Sequence, residues 1–210
     1  MDHLCPQADT AYSASYAALP RLAGIAATCR TEHLGGVLLA AGAIVACAPG
    51  PARAEGPLHV YAEPIGVLRR LTEQRLSVAS ATDEYVDLLG ALLSFEGVEV
   101  WDRCLEGLSL GEYEVDCPHC GVNAFVVLGA DGGYSCTDDY ALGEVERTPL
   151  RPVEPGELGD LARRLRDRAV ADGQDGVAGD LLRLFGRADC PDCGTEFLVA
   201  DRVVAGWVAP

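Results

Sequence analysis

Apolar residues recur at helical spacing through the first half of the chain, and alternating runs enter only beyond residue 110. Residues 1–9 are polar, carry Pro6 and read as a loose arm. Ala11–Arg30 puts Leu19, Leu22, Ala23, Ile25 and Ala26 on one face and predicts a helix. Pro20 lies inside it and is expected to kink it or end its first part. Thr31–Gly36 reads as a turn. Val37–Ala48 reads as a second, almost wholly apolar helix, ended by Pro49-Gly50-Pro51, with a loop running to Gly56-Pro57. Tyr61–Leu76 is then helical with an early proline, Pro64, and Asp83–Phe95 is another apolar helix.

The pattern repeats. Pro20 and Pro64 are 44 residues apart, and Leu39-Ala-Ala-Gly42-Ala43-Ile44-Val45 matches Asp87-Leu-Leu-Gly90-Ala91-Leu92-Leu93 at an offset of 48. The difference falls in the connecting loop. Two-helix repeats of this length, with a proline in each first helix, resemble HEAT-type solenoids. Residues 10–108 are therefore expected to hold two HEAT-like repeats and a partial third, Val98–Leu110; an ordinary helical bundle is the alternative.

Past residue 110 the period changes. Glu112–Asp116 and Val122–Leu128 read as paired strands, Gly129–Gly133 as a hairpin turn, and Tyr134–Thr137 as a strand pairing back. Thr148–Pro155 reads as an extended linker, Glu157–Ala171 and Gly176–Phe185 as helices, and Glu196–Val204 as a last strand before Trp207. Within this half stand two copies of one pentapeptide: Cys117-Pro118-His119-Cys120-Gly121 and Cys190-Pro191-Asp192-Cys193-Gly194. Two cysteines two residues apart, followed by glycine, form a knuckle whose thiolates point at one ion. Two knuckles supply four thiolates, a closed tetrahedral site for structural zinc, Zn2+. The expected ligands are Cys117, Cys120, Cys190 and Cys193.

Other chemistries compete with zinc for these motifs. The Cys-Pro-x-Cys-Gly form resembles a rubredoxin knuckle, which would hold iron for electron transfer. Cys117-Pro-His-Cys120 resembles the active-site tetrapeptide of DsbA-type oxidoreductases, in which the first cysteine opens a helix; here Gly121 and a strand pattern follow. A catalytic zinc needs a vacant position that four thiolates do not leave. His119, between two ligands, is expected to point outward. His33 beside Glu32 is a general-base candidate whose plainer reading is a turn residue, and Cys136 on the hairpin is expected to be buried near the first knuckle. No nucleophile elbow or phosphate-binding glycine loop is present.

Charge narrows the partners. The net charge of −16 comes with 16 basic residues, all arginine, and disfavours nucleic acid and anionic membranes alike. Arg163, Arg164, Arg166 and Arg168 crowd one helix, but interleaved acids make it a solvated face rather than a phosphate site. Nine cysteines without regular spacing do not form a secreted disulfide framework, so a cytoplasmic location is expected. Ile44-Val45-Ala46-Cys47 matches a lipoprotein cleavage site, yet it lies far from the start in an apolar run too short to span a membrane and reads as buried helix. A hydrophobic content of 49% and a mean hydropathy of +0.13 argue against disorder.

The whole pattern resembles uncharacterised actinobacterial proteins with a HEAT-like N-terminal part and a zinc-ribbon C-terminal part. The fold class expected is mainly α with a small β part: HEAT-like helical hairpins over residues 1–110, then a split zinc ribbon over 111–210 with a helix pair inserted at 151–187. The resemblance implies no enzyme activity. The expected role is a zinc-stabilised interaction module whose partner is another protein, with homodimerisation open. A thiol-redox or metal-dependent enzyme, an electron carrier and a nucleic-acid-binding ribbon are the alternatives.

Overall fold

The computed structural model describes residues 13–48, 58–129, 132–137, 140 and 144–208. The chain is mostly helical with a small antiparallel β part, and it divides into two compact units, Met1–Leu105 and Glu106–Pro210.

Among the described residues, every element of the first unit is helical. Short α1 (Ser13–Tyr16) precedes α2 (Leu19–Thr28). Pro20 sits in the first turn of α2, where its missing N–H costs nothing, so it opens a helix instead of kinking one. The expected turn at Thr31–Gly36 is instead the first part of α3 (Thr31–Ala46); only Cys29 and Arg30, both extended, separate it from α2. The tertiary fold thus overrides the weak helix propensity of Gly35 and Gly36. Pro49–Pro57 and Ala11 lie outside the described residues. A single 3-10 turn, His59–Tyr61, leads into α4 (Ala62–Leu76), with Pro64 in its first turn, and α5 follows at Thr82–Glu96. The Arg75 guanidinium grips Glu84 with Nε at 2.8 Å and a terminal nitrogen at 2.5 Å, tying α4 to α5.

The helix pairs α2/α3 and α4/α5 pack first helix on first and second on second. The glycines matched in sequence do matching work. A Cβ on Gly42 of α3 would lie 2.7 Å from the Ala91 Cβ of α5, and one on Gly90 of α5 would lie 2.9 Å from the Asp102 carbonyl oxygen of α6 (Trp101–Cys104). Each glycine lets the next element approach its helix backbone. Arg103 of α6 also donates to the Ala46 carbonyl at 2.6 Å, satisfying an orphan at the end of α3. The core is Leu19, Leu38, Ile44, Leu68, Leu76, Tyr85, Leu88, Leu89 and Leu93, each at 0–1% exposure. The sequence Ile44–Cys47 is buried here, and among the described residues no helix is long and apolar enough to cross a membrane.

The second unit begins five residues earlier than expected, at α7 (Glu106–Leu110), because Gly107 leaves room for the Tyr113 ring against it. Strands β1 (Glu112–Asp116), β2 (Asn123–Val127), β3 (Tyr134–Cys136) and β4 (Thr148–Pro149) form an antiparallel sheet in that order. The linker is thus partly strand, and Arg151 continues it by bridging to Arg187. Helices α8 (Asp160–Ala171) and α9 (Asp175–Leu184) pack together through Leu165, Ala169, Val177 and Leu181. Strands β5 (Arg187–Asp189) and β6 (Glu196–Leu198) form a second, two-stranded sheet. The long last strand expected over Glu196–Val204 stops at Leu198 and becomes α10 (Val199–Val208). Val199 and Val203, four apart, are buried while Asp201 is exposed, so helical period prevails over the β-branched composition.

Candidate metal centre

Each knuckle is a turn between two antiparallel strands. The first lies between β1 and β2, the second between β5 and β6. Their backbones repeat bond for bond. The Cys117 N–H donates to the Val122 carbonyl at 2.9 Å, and the Cys190 N–H to that of Thr195 at 2.9 Å. The Gly121 N–H donates to the Cys117 carbonyl at 3.0 Å, and the Gly194 N–H to that of Cys190 at 2.9 Å. Gly121 has φ +74° and Gly194 φ +71°, left-handed values that a side chain strains and glycine takes freely.

These turns bring the four expected ligand sulfurs, from Cys117, Cys120, Cys190 and Cys193, within 4.8 Å of one another. The pairs Cys117–Cys193 and Cys120–Cys190, each joining one knuckle to the other, stand at 3.7 Å. A disulfide would bring a pair to about 2.05 Å. A tetrahedral ion with metal–sulfur bonds of about 2.3 Å requires sulfur–sulfur edges of about 3.8 Å. Two opposite edges of the cluster therefore match those of a tetrahedral ion, and the four thiols lie close enough to hold a metal. Cys117 and Cys190 are buried, whereas Cys120 and Cys193 face solvent.

The electrostatics of the bare thiols point the same way. Burial works to raise Cys117 from the ordinary 9.0, but N–H groups of Cys120 and His119 outweigh it and hold the thiol down to about 6. The Thr195 hydroxyl, 3.3 Å from Cys193 Sγ, and the Thr195 N–H hold Cys193 down as well. Burial pushes Cys190 up. At Cys120 the Val122 N–H favours the thiolate, yet burial and the neighbouring sulfurs prevail and push it up to about 12. Two low thiols and two high ones are what like charges at this distance impose; a bound cation removes the conflict and lets all four ionise.

Contacts within the second unit fix the two knuckles against each other. The buried Ser135 hydroxyl on β3 donates to the Asp189 carbonyl on β5 at 2.8 Å. Arg151 reaches Asp189 and Glu196, each at 2.7 Å, and Arg202 of α10 donates to the Asp116 carbonyl at 2.8 Å. Sequence reasoning missed Thr195 and Arg202. The signal for Thr195 was present: the residue after the knuckle glycine is Val122 in one copy and Thr195 in the other.

The other candidates stand apart from the cluster. Cys136 on β3 is wholly buried, opposite Phe125 in the sheet. His33 lies exposed in the first turn of α3, 3.4 Å from Glu32. Cys117 follows β1 and no helix begins at it, so the helix N-terminus that activates a redox Cys-x-x-Cys is not part of this site. Asp138 and Asp139 lie outside the described residues. On the arginine-rich helix α8, Arg163 donates to the Leu158 carbonyl at 2.7 Å, Arg166 pairs with Asp167 at 2.9 Å and Arg168 pairs with Asp172. Those guanidinium groups are already spent on acids and carbonyls. Comparison of the chain with protein-family models, with curated proteins and with solved structures found no match in any of the three.

Proposed function

We propose that this is a non-catalytic, cytoplasmic protein-interaction module in which a zinc ribbon with a helical insertion follows two HEAT-like repeats. The observation that carries the reading is the cluster of four sulfurs within 4.8 Å of one another, two of whose edges are 3.7 Å: every ligand position is a thiolate, so the ion would have no vacancy for water or substrate. Zinc suits the site because it is content with tetrahedral sulfur and has no redox chemistry of its own. Its chemistry here is to bind four thiolates and clasp β1–β2 to β5–β6.

The matched packing of Gly42 and Gly90 supports the repeat reading, since equivalent residues then make equivalent contacts with the next element. The helical unit also offers a recess for a partner's side chain. A groove of about 440 Å³ lies between the end of α3, the start of α4 and the end of α5, floored by Val45, Leu58 and Phe95 and edged by His59, Arg69 and Glu96. Cavities of this size accept a small apolar group with a few fixed polar contacts.

Elemental analysis and a visible spectrum of the native protein test the metal. One zinc per chain and no colour support the reading. Iron with a red colour would shift it to electron transfer, and no metal with Cys117–Cys120 oxidised would overturn it. The interaction role is tested by Gly66→Trp, which fills the groove from α4, where the added Cβ meets nothing nearer than the end of Arg70 at 3.8 Å. A partner that copurifies with the full chain should be lost with zinc content unchanged; retention of the partner would reject the groove.

A further inference from the structure

The four sulfurs are not equivalent, and the difference singles out one of them. The Cys117 sulfur accepts the His119 N–H at 3.4 Å. Cys193 stands 3.3 Å from the Thr195 hydroxyl. At the matching position of the first knuckle is Val122, which has no hydroxyl for Cys120. Cys117 and Cys190 are buried; Cys193 is exposed but has the Thr195 hydroxyl beside it; Cys120 is exposed without one. Hydrogen bonds to a metal-bound thiolate withdraw charge from sulfur and lower its nucleophilicity. Cys190 Sγ, at 3.7 Å, is the sulfur that faces Cys120 from the other knuckle.

We propose that Cys120 is an oxidation site: the thiolate that peroxides attack first, with Cys190 as its resolving partner. The inference rests on the zinc reading. The Cys120 thiolate attacks one oxygen of hydrogen peroxide; the O–O bond breaks, hydroxide leaves, and the sulfur becomes a sulfenic acid. The Cys190 thiolate then attacks that sulfur; the S–O bond breaks, a second hydroxide leaves, and a Cys120–Cys190 disulfide forms. Two electrons pass from the two thiolates to the peroxide. The ion is left with Cys117 and Cys193 alone and dissociates, while the new disulfide keeps the two knuckles joined. Peroxide thereby exchanges one clasp for another and frees a metal ion.

The test uses the full, zinc-loaded chain and substoichiometric hydrogen peroxide. Sulfenic acid is trapped with dimedone, disulfides are mapped by peptide mass spectrometry, and released zinc is followed with a chromogenic chelator. The expected result is dimedone on Cys120 ahead of the other eight cysteines, a Cys120–Cys190 link without dimedone, and zinc release at the rate of that link. Two variants keep all four ligands and change only the hydroxyl beside the sulfur. Val122→Thr should slow labelling of Cys120 about threefold, and Thr195→Val should speed labelling of Cys193 by a similar factor, the Brønsted sensitivity expected of a modest change in thiolate basicity. Labelling that starts at Cys193, is equal at Cys120 and Cys193, or is indifferent to both variants would overturn the assignment. Zinc content before oxidation separates the two failures: a chain with no zinc rejects the metal reading, whereas a zinc-loaded chain that labels elsewhere rejects only the role of Cys120.

Discussion

Among the described residues, ten leucine, isoleucine and tyrosine side chains of the helical first unit are exposed by 2% or less, against three, Leu165, Leu181 and Leu184, in the second. The second unit has strands of two to five residues, and its two sheets meet through Ser135, Arg151 and the four sulfurs. Similar lengths of chain have thus been closed in two ways. The first unit removes leucine surface from water until packing alone specifies it. The second buries smaller groups around its short strands, among them Val115, Ala124, Val126, Ala188 and Phe197, and adds a cluster of four thiols, two of them exposed.

Metal removal breaks this comparison most severely. Structural zinc contributes about 10–16 kcal/mol in small finger peptides, well above the stability of a unit this size. If zinc fills the four-cysteine site as proposed, stripping it with a chelator under reducing conditions, or replacing Cys117 with serine, should abolish hydrogen-exchange protection in β1, β2, β5 and β6. Protection in α3 and α5 should survive, because their bonds are shielded by Leu38, Ile44, Leu88 and Leu93. Equal loss in both units would show that the helical half depends on the metal as well.

The helical unit has its own weak point where α3 meets α5. Gly42→Leu would drive a side chain into the Ala91 Cβ at 2.7 Å and its Cα at 3.0 Å, and backbone cannot yield as a flexible side chain can. Overpacking of this kind costs about 1–3 kcal/mol, read as a lower thermal midpoint for the first unit with zinc content unchanged. Gly24→Ala on the exposed side of α2 is the control: its Cβ meets nothing within 4 Å, and the helix should gain about 0.5–1 kcal/mol. If both substitutions had the same sign, close approach would not be what Gly42 provides.

How much of this was legible beforehand differs between the units for the same physical reason. The knuckles were readable because four cysteines at fixed spacing constrain the backbone locally; Gly121 and Gly194 announce their own φ. The helices of the first unit were readable from the placement of Leu, Ile and Ala, but the start of α3 was not, since Gly35 and Gly36 are helical only because α3 is held by its neighbours. The second unit hid more. Strand β4 is two residues long and includes Pro149, and it exists because Ser135 and Tyr134 supply an edge for it. Val199, Val203 and Val204 looked like strand until burial showed their helical spacing. Which cysteine faces which across the knuckles depends on long-range packing, and no local pattern carries it.

Alkaline pH sharpens the contrast from the other side, through a cysteine that is no ligand. Burial first, then the Asp102 carboxylate against a lesser opposing pull from Arg103, push the Cys104 thiol up from 9.0 to about 12. Between those values the unfolded chain releases a proton that the folded chain retains. This contribution therefore leaves stability unchanged below pH 9 and lowers it progressively as pH rises from 9 towards 12. Denaturant midpoints for the first unit should fall over that window, and Cys104→Ala, whatever its effect at neutral pH, should flatten the slope. An equal slope in the variant would assign the alkaline loss to other groups.

The smallest effect concerns a single residue between α5 and α6. Val100 has φ +69° and ψ −56°, and the Trp101 N–H donates to the Glu99 carbonyl at 2.8 Å, which makes a tight turn of three residues. A β-branched residue is poorly suited to that region, at a cost of about 1–3 kcal/mol, and the turn persists because the Val100 carbonyl also receives the Arg103 and Cys104 N–H groups that start α6. Glycine adopts the same angles without strain but loses about 0.4–1 kcal/mol through the freedom it adds to the unfolded chain. It also gives up the half-buried side chain, so Val100→Gly should stabilise the first unit by at most about 1 kcal/mol. Val100→Ala keeps the strain and gives up the half-buried side chain, so it should destabilise slightly. Opposite signs for the two variants would show that backbone conformation outweighs packing at this turn, in a unit where packing otherwise decides; two losses would return Val100 to the core.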